Sequence, residues 1–286
     1  MKIASIDIGT NAVKSKIFKT TPTSIEFIEG IRSPIRLGTD VFTNGLLAKD
    51  KLDLLVKTLR KYQKNFIKNK ISMYEIVATS AFRDTQNSEE ARRYVENKIE
   101  HPIRIISGLE EAKLIRFHPK AQSRSSKVYV DVGGGSTEIY IYENNKHIIQ
   151  SFQLGAVRGM LGKDDPEEWS RLKKWLRKQP KTSTLVGLGG NIRSFLNLNN
   201  TKKMKSENFI KEITNLNSLD VGTKISAYKL QKDRADVIDF ALQIYIEIIK
   251  ILKVQEIKST KWGVSDSIAV KTFHELYSKK ISISRS

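Results

Sequence analysis

The stretch Val128–Glu138, VYVDVGGGSTE, joins a strand pattern to a glycine-rich turn. Its first half alternates apolar residues and runs into an acid, Asp131, and three consecutive glycines follow at 133 to 135. Glycine lets the backbone turn with positive φ and lets a ligand approach the main chain closely. A row of exposed N–H groups in such a turn makes a concave anion site. The stretch therefore predicts an anion-binding turn, and the plainer alternative is a Gly-rich hairpin.

Acidic side chains stand on both sides of this turn. Asp131 precedes the glycines, and Glu138 follows the hydroxyl pair Ser136–Thr137. A carboxylate beside a phosphate would repel it unless a cation lies between them. Because Mg²⁺ accepts carboxylate and phosphate oxygens together, the pattern predicts a phosphate site that uses Mg²⁺.

A second turn near the N-terminus has the same pattern. Lys2–Phe18 reads as two strands joined by Asp7-Ile-Gly-Thr-Asn11. Each of the two turns follows an apolar strand, opens with an aspartate and then turns on glycine. We interpret them as an internal repeat, which predicts two related half-structures facing one cleft. Elsewhere strands alternate with helices, which predicts an α/β fold.

Apolar periodicity predicts two of the longer helices. One has apolar residues at helical spacing, namely Leu52, Leu55, Val56, Leu59, Tyr62 and Phe66. The other is a single helix over residues 233–252. The polar stretch 204–220 is expected to hold a short helix.

The segment Ser107–Ala112 predicts the start of a helix. Ser107 with Glu110 three residues later has the spacing of a capping box, which explains Glu110 structurally. The cap does not need Glu111. Two interpretations of Glu111 stay open: a first-turn acid favoured by the helix dipole, or a general base at a strand-to-helix junction.

Composition limits the classes of function. The 286 residues suggest two domains, and 50 basic against 31 acidic residues leave a net charge of +19. Such a field attracts polyanions: nucleic acid, inorganic polyphosphate, a phosphorylated nucleotide and an acidic membrane would each fit, as would lysines that only solubilise helix faces. The absence of cysteine excludes a disulfide framework and thiolate chemistry. We expect no signal peptide, no membrane span, no zinc site among the four unpaired histidines, and a cytoplasmic location.

Five stretches resemble, in order, motifs of the exopolyphosphatase/guanosine pentaphosphate phosphohydrolase (Ppx/GppA) family. They are Asp7–Asn11, Ala78–Arg83 with Asn87, Ile106–Ala112, Asp131–Glu138 and Gly187–Asn191. The resemblance covers almost the whole chain. It implies an α/β fold of two ribonuclease-H-like domains with an interdomain cleft, as in the actin, Hsp70 and sugar-kinase superfamily. The first domain is expected at 1–118 plus a C-terminal helix at about 272–286, and the second at 119–271, without the extra helical domains of long family members.

The resemblance also implies roles for individual residues. Glu111 matches the catalytic base, and Asp131 and Glu138 match acids that bind Mg²⁺ or another divalent cation such as Mn²⁺. Nine residues match phosphate contacts: Asp7, Gly9, Thr10, Asn11, Arg83, Gly133, Gly134, Gly135 and Ser136. A further turn is expected to contact a nucleotide or the phosphate chain through Gly189, Gly190 and Asn191.

The resemblance leaves several functions open. The leading hypothesis is an exopolyphosphatase that hydrolyses the terminal phosphoanhydride of inorganic polyphosphate, and the net charge favours this long polyanion. The alternatives are removal of the 5′ terminal phosphate of guanosine pentaphosphate (pppGpp), or a sensor that binds polyphosphate or guanosine penta- or tetraphosphate without turnover. A kinase of the same superfamily is disfavoured because nothing marks an acceptor pocket. Neither a membrane nor a nucleic acid is expected as partner, and a homodimer stays open.

Overall fold

The computed structural model describes residues 1–123 and 126–283, which form two compact units. The first unit comprises Met1–Ser107 and the segment that begins at Val264, and the second comprises Gly108–Gly263. Both divisions come earlier in the chain than the expected ones after residues 118 and 271. No helix of the described residues is both long and apolar enough to cross a membrane.

The first unit is built on a five-stranded sheet. Its strands are β1 (Lys2–Ile8), β2 (Val13–Thr20), β3 (Ile25–Ser33), β4 (Met73–Ala78) and β5 (Arg104–Ile105). Its helices are α1 (Leu37–Asn44), α2 (Lys49–Lys68), α3 (Ser80–Arg83), α4 (Ser88–Ile99) and, at the end of the chain, α13 (Val264–Ile283). The sheet order is β3-β2-β1-β4-β5, with β1–β2 and β2–β3 antiparallel and the remaining pairs parallel.

The core of this unit follows from its apolar patterns. The central strand β1 is buried on both faces, as expected for a strand with a parallel neighbour and helices nearby. Helix α2 buries the predicted apolar positions at helical spacing: Leu52, Leu55, Val56, Leu59, Tyr62 and Phe66. Tyr62 also donates its hydroxyl to the carbonyl of Val13 at 3.2 Å, which fixes α2 against the sheet.

The second unit is built on a six-stranded sheet. Its strands are β6 (Lys127–Val132), β7 (Thr137–Glu143), β8 (Lys146–Phe152), β9 (Thr184–Leu188), β10 (Lys203–Lys205) and β11 (Glu256–Ser259). Its longer helices are α5 (Gly108–Leu114), α7 (Pro166–Arg177), α8 (Gly190–Leu198), α9 (Ser206–Asn217) and α12 (Ile238–Leu252). Its shorter helices are α6 (Ala156–Met160), α10 (Val221–Ser226) and α11 (Lys232–Ala235), with a 3₁₀ turn at Ile115–Phe117.

The two sheets share one topology. Read from its other edge, the second sheet has the order β8-β7-β6-β9-β11-β10. Each unit therefore has an antiparallel meander of three strands followed by two parallel strands, in the order 3-2-1-4-5, and the second unit adds β10 at its edge. This shared order confirms the internal repeat and the two ribonuclease-H-like domains of the predicted α/β fold.

Packing explains where the units divide. Helix α5 packs against β7 and β8, so it belongs with the second sheet although it follows directly on β5 of the first. Helix α13 packs against β1, β2 and β4, so it joins the first sheet from its first residue. The division expected after residue 118 therefore cuts the second unit, and the division expected after residue 271 cuts α13. Residues 284–286 of the expected C-terminal helix lie outside the described part of the chain.

Two helices differ from the sequence expectation. The single helix predicted over 233–252 consists of α11 and α12, because the chain leaves helical hydrogen bonding around Val237, whose side chain is buried. The stretch 204–220, expected to hold a short helix, contains the twelve-residue α9. Its buried Phe209, Ile213 and Leu216 follow helical spacing.

Candidate phosphate and metal site

The turn between β1 and β2 is a tight hairpin led by an aspartate. Asp7 lies opposite Lys14 in the strand register. Between them, the N–H of Gly9 donates to the carbonyl of Ala12 at 3.2 Å and closes the turn. Thus the glycine of the predicted motif stands at the start of the turn and the aspartate at the end of the strand.

The turn between β6 and β7 repeats this geometry. Asp131 lies opposite Glu138, and the N–H of Gly133 donates to the carbonyl of Ser136 at 2.9 Å. The spacing from aspartate to glycine, from glycine to the accepting carbonyl, and from there to the opposite residue is the same in both turns. The sequence repeat therefore corresponds to a repeat of backbone structure, since both turns have the same strand register and the same closing hydrogen bond.

The two hairpins differ in the charge that faces the aspartate. In the first unit Nζ of Lys14 lies 3.0 Å from Oδ2 of Asp7, so the carboxylate, only 2% exposed, has a cation beside it. In the second unit the equivalent position is Glu138, 1% exposed, so two carboxylates face each other across the strands. Like charges directly opposite are destabilising. A cation beside Asp131 and Glu138 would offset this repulsion, and in the first hairpin Lys14 occupies the corresponding position.

Glu138 is oriented from the strand β8. The hydroxyl of Ser151 donates to Oε1 of Glu138 at 2.9 Å. The carbonyl of Ser151 in turn accepts from Arg171 at 2.7 Å, and Arg171 pairs with Glu168 at 2.7 Å. The hydrogen bond from Arg171 lowers the pKa of Glu168 against the opposing effect of burial. Helix α7 thus supports the strand that positions Glu138.

The donor set suits one type of metal. Within residues 1–123 and 126–283, no group of three or more His, Cys, Asp or Glu residues could hold an ion. Mg²⁺ is usually bound by one or two carboxylates, with waters and substrate phosphates completing its shell. Asp131 and Glu138 therefore fit Mg²⁺ or Mn²⁺ taken up with a phosphate, and not a metal enclosed by protein ligands alone.

The glycine loop is held from behind by α6. The first three N–H groups of α6 donate to the loop, one to the carbonyl of Gly133 at 3.0 Å and two to the carbonyl of Gly134 at 2.8 and 3.0 Å. Nε of Arg158 donates to the carbonyl of Gly135 at 3.0 Å. A Cβ on Gly155 would lie 2.6 Å from backbone atoms of Gly134 and Gly135, so only glycine permits this approach. Because the loop carbonyls are engaged by the protein, they need not face an incoming anion.

The first hairpin is held in the same way by α1. The N–H of Gly38 donates to the carbonyl of Thr10 at 2.9 Å, and the N–H of Arg36 donates to that of Asn11 at 3.0 Å. The buried hydroxyl of Thr10 lies 2.5 Å from that of Ser80, so it has a partner inside the protein. Of the predicted contacts in this turn, Thr10 thus has a structural role that the sequence did not indicate.

Arg83 lies on α3, in the same unit as the first hairpin. Its NH1 donates to the carbonyl of Ile106 at 2.9 Å, and its Nε lies 3.5 Å from Oδ1 of Asp84. These contacts orient the guanidinium within the first unit. Its predicted role as a phosphate contact stays a prediction.

Glu111 lies on α5 in the second unit and is 9% exposed, whereas its neighbour Glu110 is exposed. Helix α5 packs against β7 and β8, the strands that carry Glu138 and Ser151. The fold therefore places Glu111, the glycine loop and the two opposed carboxylates in one unit. The other predicted contacts, in the Asp7–Asn11 turn and at Arg83, lie in the first unit.

The glycine pair after β9 makes room for charged side chains. Gly189 has a φ of +79°, and a Cβ there would lie 2.6 Å from Oδ1 of Asp131. A Cβ on Gly190 would lie 2.5 Å from NH2 of Arg234. The turn therefore brings a guanidinium and the carboxylate of Asp131 to adjacent glycines. Arg234 is not among the predicted site residues.

Asn191 is 3% exposed and fully engaged inside the unit. Its Nδ2 donates to the carbonyl of Val132 at 2.9 Å, and its Oδ1 accepts a hydrogen bond from Arg234. The side chain therefore ties α8 to the end of β6 and to α11. A contact from this turn to a nucleotide or phosphate chain stays a prediction.

The chain is thus built from two α/β units with one strand order, each with an aspartate-led hairpin. A family model described as the Ppx/GppA phosphatase family matches residues 16–276. The chain belongs to that family.

Solved structures agree with this fold. A Ppx/GppA family member from Aquifex aeolicus superposes with a TM-score of 0.77 at 24% identity, over 96% of this chain and 98% of that one. A structure described as an exopolyphosphatase from Cytophaga hutchinsonii gives a TM-score of 0.86 at 18% identity, over 96% of this chain and 98% of that one.

Proposed function

We propose that the protein is an exopolyphosphatase, which hydrolyses the terminal phosphoanhydride bond of inorganic polyphosphate. The observation that carries the proposal is the second hairpin, where Asp131 and Glu138 face each other beside a glycine loop held by α6. A paired carboxylate site next to an anion-binding turn fits a metal-bound phosphoryl group, and the family is one of phosphatases.

The proposed reaction needs a base for one proton. A water oxygen attacks the terminal phosphorus, the bond to the bridging oxygen breaks, and the products are orthophosphate and a chain one phosphate shorter. Glu111 accepts the proton that the attacking water loses. Glu111 has low exposure on α5, which keeps its carboxylate from being fully hydrated. The exposed neighbour Glu110 has no role in the proposed reaction.

The remaining groups stabilise charge. Asp131 and Glu138 would hold the divalent cation, which supplies positive charge against the phosphate oxygens when bound. The amides of the loop Gly133–Ser136 bind oxygens of the transferring group. The Asp7–Asn11 turn and Arg83 are proposed to contact phosphate in the first unit, where the planar fork of arginine suits paired oxygens.

The test compares phosphate release from polyphosphate and from pppGpp, with and without Mg²⁺. The variant Glu138→Lys gives the second hairpin the Asp–Lys pair of the first. We expect at least about a hundredfold loss of turnover and loss of the response to Mg²⁺. The matched control is Glu143→Lys, an exposed acid on the same strand with the same change of charge, which should keep its activity.

The outcomes separate the candidate functions. Release from pppGpp but not from polyphosphate would replace the proposed substrate by the nucleotide. Tight binding of either compound without turnover in Mg²⁺ would favour a sensor. Equal activity of Glu138→Lys and Glu143→Lys would show that the paired carboxylates are not the metal site.

A further inference from the structure

The outer face of α2 carries a row of basic side chains on a helix that is otherwise well packed. The exposed basic residues between positions 57 and 68 are Lys57, Arg60, Lys61, Lys64 and Lys68. Positions 57, 61, 64 and 68 are spaced by three or four residues, so these four lysines line one side of the helix. We call these five residues the α2 basic stripe. The acids of α2, Asp50 and Asp53, lie near its start.

The stripe is not neutralised within the unit. In the described ranges, none of its four lysines forms an ion pair with another residue. Arg60 donates only to a main-chain carbonyl, that of Lys98, at 2.8 and 3.1 Å. Like charges at this spacing destabilise a helix by about 0.2–0.5 kcal/mol per pair. The helix dipole compensates only the last turn, where Lys68 lies.

Two other helices, α4 and α7, pair some of their surface charges. On α4, Arg92 contacts Glu89 at 2.6 Å and Glu96 at 3.1 Å. On α7, Arg171 contacts Glu168 at 2.7 Å. If lysines on α2 served only to keep the surface hydrated, acids could alternate with them as they do on these helices. Between residues 57 and 68 there is no acid at all. The stripe therefore favours a partner that supplies the negative charge.

The form of the stripe favours a flexible linear polyanion. It runs from Lys57 to Lys68, about 16 Å at 1.5 Å per residue. Single-stranded nucleic acid is usually bound through aromatic side chains that stack with bases. Among the described residues the exposed large aromatic side chains are Phe27 and Tyr228, and neither lies on α2 or the neighbouring α4.

A membrane surface fits the stripe less well. An interfacial helix buries a continuous apolar face. The exposed apolar residues of α2 are Leu54 and Ile67, thirteen positions apart, while the remaining apolar side chains face the sheet.

We infer that the α2 basic stripe is a docking surface for the chain of inorganic polyphosphate, away from its reacting end. The inference rests on the proposed function, since the same substrate is bound. The buried side of α2 faces the sheet, so the stripe lies on the opposite side of the helix from the Val13 contact of Tyr62. Long chains reach the stripe in addition to the phosphate loops, whereas tripolyphosphate is too short to gain from it.

The experiment uses the triple variant Lys57→Gln/Lys61→Gln/Lys64→Gln of the full chain. The matched control is Lys174→Gln/Lys178→Gln/Lys211→Gln, which removes three exposed lysines from the other unit with the same change of charge. We measure Kd for long-chain polyphosphate as a function of salt, and turnover of tripolyphosphate. The stripe variant should bind long chains about tenfold more weakly, with the slope of log Kd against log salt lowered by up to about three. The control should change Kd less than about twofold.

Several results would overturn the inference. They are an equal loss of affinity in both triple variants, unchanged affinity in the stripe variant, and equally strong competition at the stripe by single-stranded RNA or by anionic vesicles at the same phosphate concentration. Loss of long-chain binding in the stripe variant, without any turnover of long-chain polyphosphate or tripolyphosphate by the wild type, would support the stripe and refute the proposed function. Normal turnover of tripolyphosphate by both triple variants, with unchanged long-chain binding, would support the proposed function and refute the stripe.

Discussion

Lys14 and Glu138 occupy the same position in two repeated hairpins. Each lies directly across from the aspartate that leads the turn. The lysine gives Asp7 an internal cation at 3.0 Å, and the glutamate gives Asp131 a second carboxylate. We therefore expect the divalent cation at the second hairpin rather than at the first. The sequence contained the motif of each turn, but the consequence of residue 14 became visible only with the strand register.

Glycine 155 sets the distance between α6 and the phosphate loop. In Gly155→Ala the new Cβ would lie 2.6 Å from backbone atoms of the loop, and backbone cannot give way as a flexible side chain can. We expect the loop to shift and kcat/KM for phosphate release to fall about a hundredfold, since small displacements of a binding group are costly. Steady-state kinetics measure this loss.

The matched control is Gly30→Ala on β3, where a Cβ would meet its neighbours at 3.4 and 3.5 Å. Circular dichroism of both variants checks that the fold is kept. A Gly155→Ala protein with unchanged kcat/KM would show that the close approach does not position the loop.

Histidine 118 should make stability depend on pH. Burial, followed by the charges of Lys120 and Lys127, lowers its pKa from 6.5 to about 4 in the folded protein. Between these two pH values the unfolded chain binds more protons than the folded protein, so the free energy of unfolding rises with pH. The stability that His118 contributes is therefore present above pH 6.5 and is lost as the pH falls from 6.5 to 4. Because the ring is partly exposed, we expect a contribution of about 1–2 kcal/mol.

Urea unfolding at pH 4.5 and pH 7 tests this expectation. His118→Gln should show a smaller difference between the two pH values than the wild type, while the exposed His274→Gln should show the wild-type difference. The same pH dependence in wild type and His118→Gln would contradict the assignment.

A short motif separated two neighbouring acids, and the role of each stays a prediction. The capping argument distinguished Glu110 from Glu111, and the structure shows the first exposed and the second buried. The place of Arg234 beside Gly190 was missed because it depends on packing between segments far apart in the chain. The internal hydrogen bonds of Asn191 to Val132 and Arg234 were not predicted either, and its expected contact with a ligand stays a prediction.

At the scale of elements, periodicity predicted α2 and its buried positions, because a long amphipathic helix repeats its signal over many turns. It did not separate α11 from α12, since the apolar pattern continues through Val237, where the helix is interrupted. Periodicity also missed the length of α9, because this helix is mostly polar and has only three buried apolar residues at helical spacing.

Packing of α2 gives a direct test of this assignment. Leu59 is fully buried and Leu54 is 43% exposed on the same helix. Leu59→Ala should lower the free energy of unfolding by about 2–5 kcal/mol because it leaves a cavity. Leu54→Ala should change it by about 0.5 kcal/mol or less. Chemical denaturation compares the two, and equal losses would mean that α2 does not bury the predicted face.

At the scale of the whole molecule, two units share the strand order 3-2-1-4-5 and a tight aspartate-led hairpin. The repeat was predictable because both turns keep the same sequence pattern. The divisions between the units were not predictable. Helix α5 follows the first unit along the chain but packs on the second sheet, and α13 follows the second unit but packs on the first sheet. Such choices depend on long-range contacts and leave no local signal at residue 107 or 263.

The net charge of +19 also acts on the molecule as a whole. Capture of a polyanion should be fast and should weaken steeply with salt, because the field is screened within about 10 Å at 0.1 M ionic strength. This general effect is the reason why the α2 basic stripe needs a control variant of equal charge.

The most direct test of the account is single-turnover hydrolysis of polyphosphate by Glu111→Gln, with Glu110→Gln as the neighbouring control. If Glu111 accepts the proton of the attacking water, the first variant should lose about 10²- to 10⁴-fold in rate and keep its affinity for polyphosphate, while the second keeps both. Hydrolysis by Glu111→Gln at the wild-type rate would contradict the proposed mechanism.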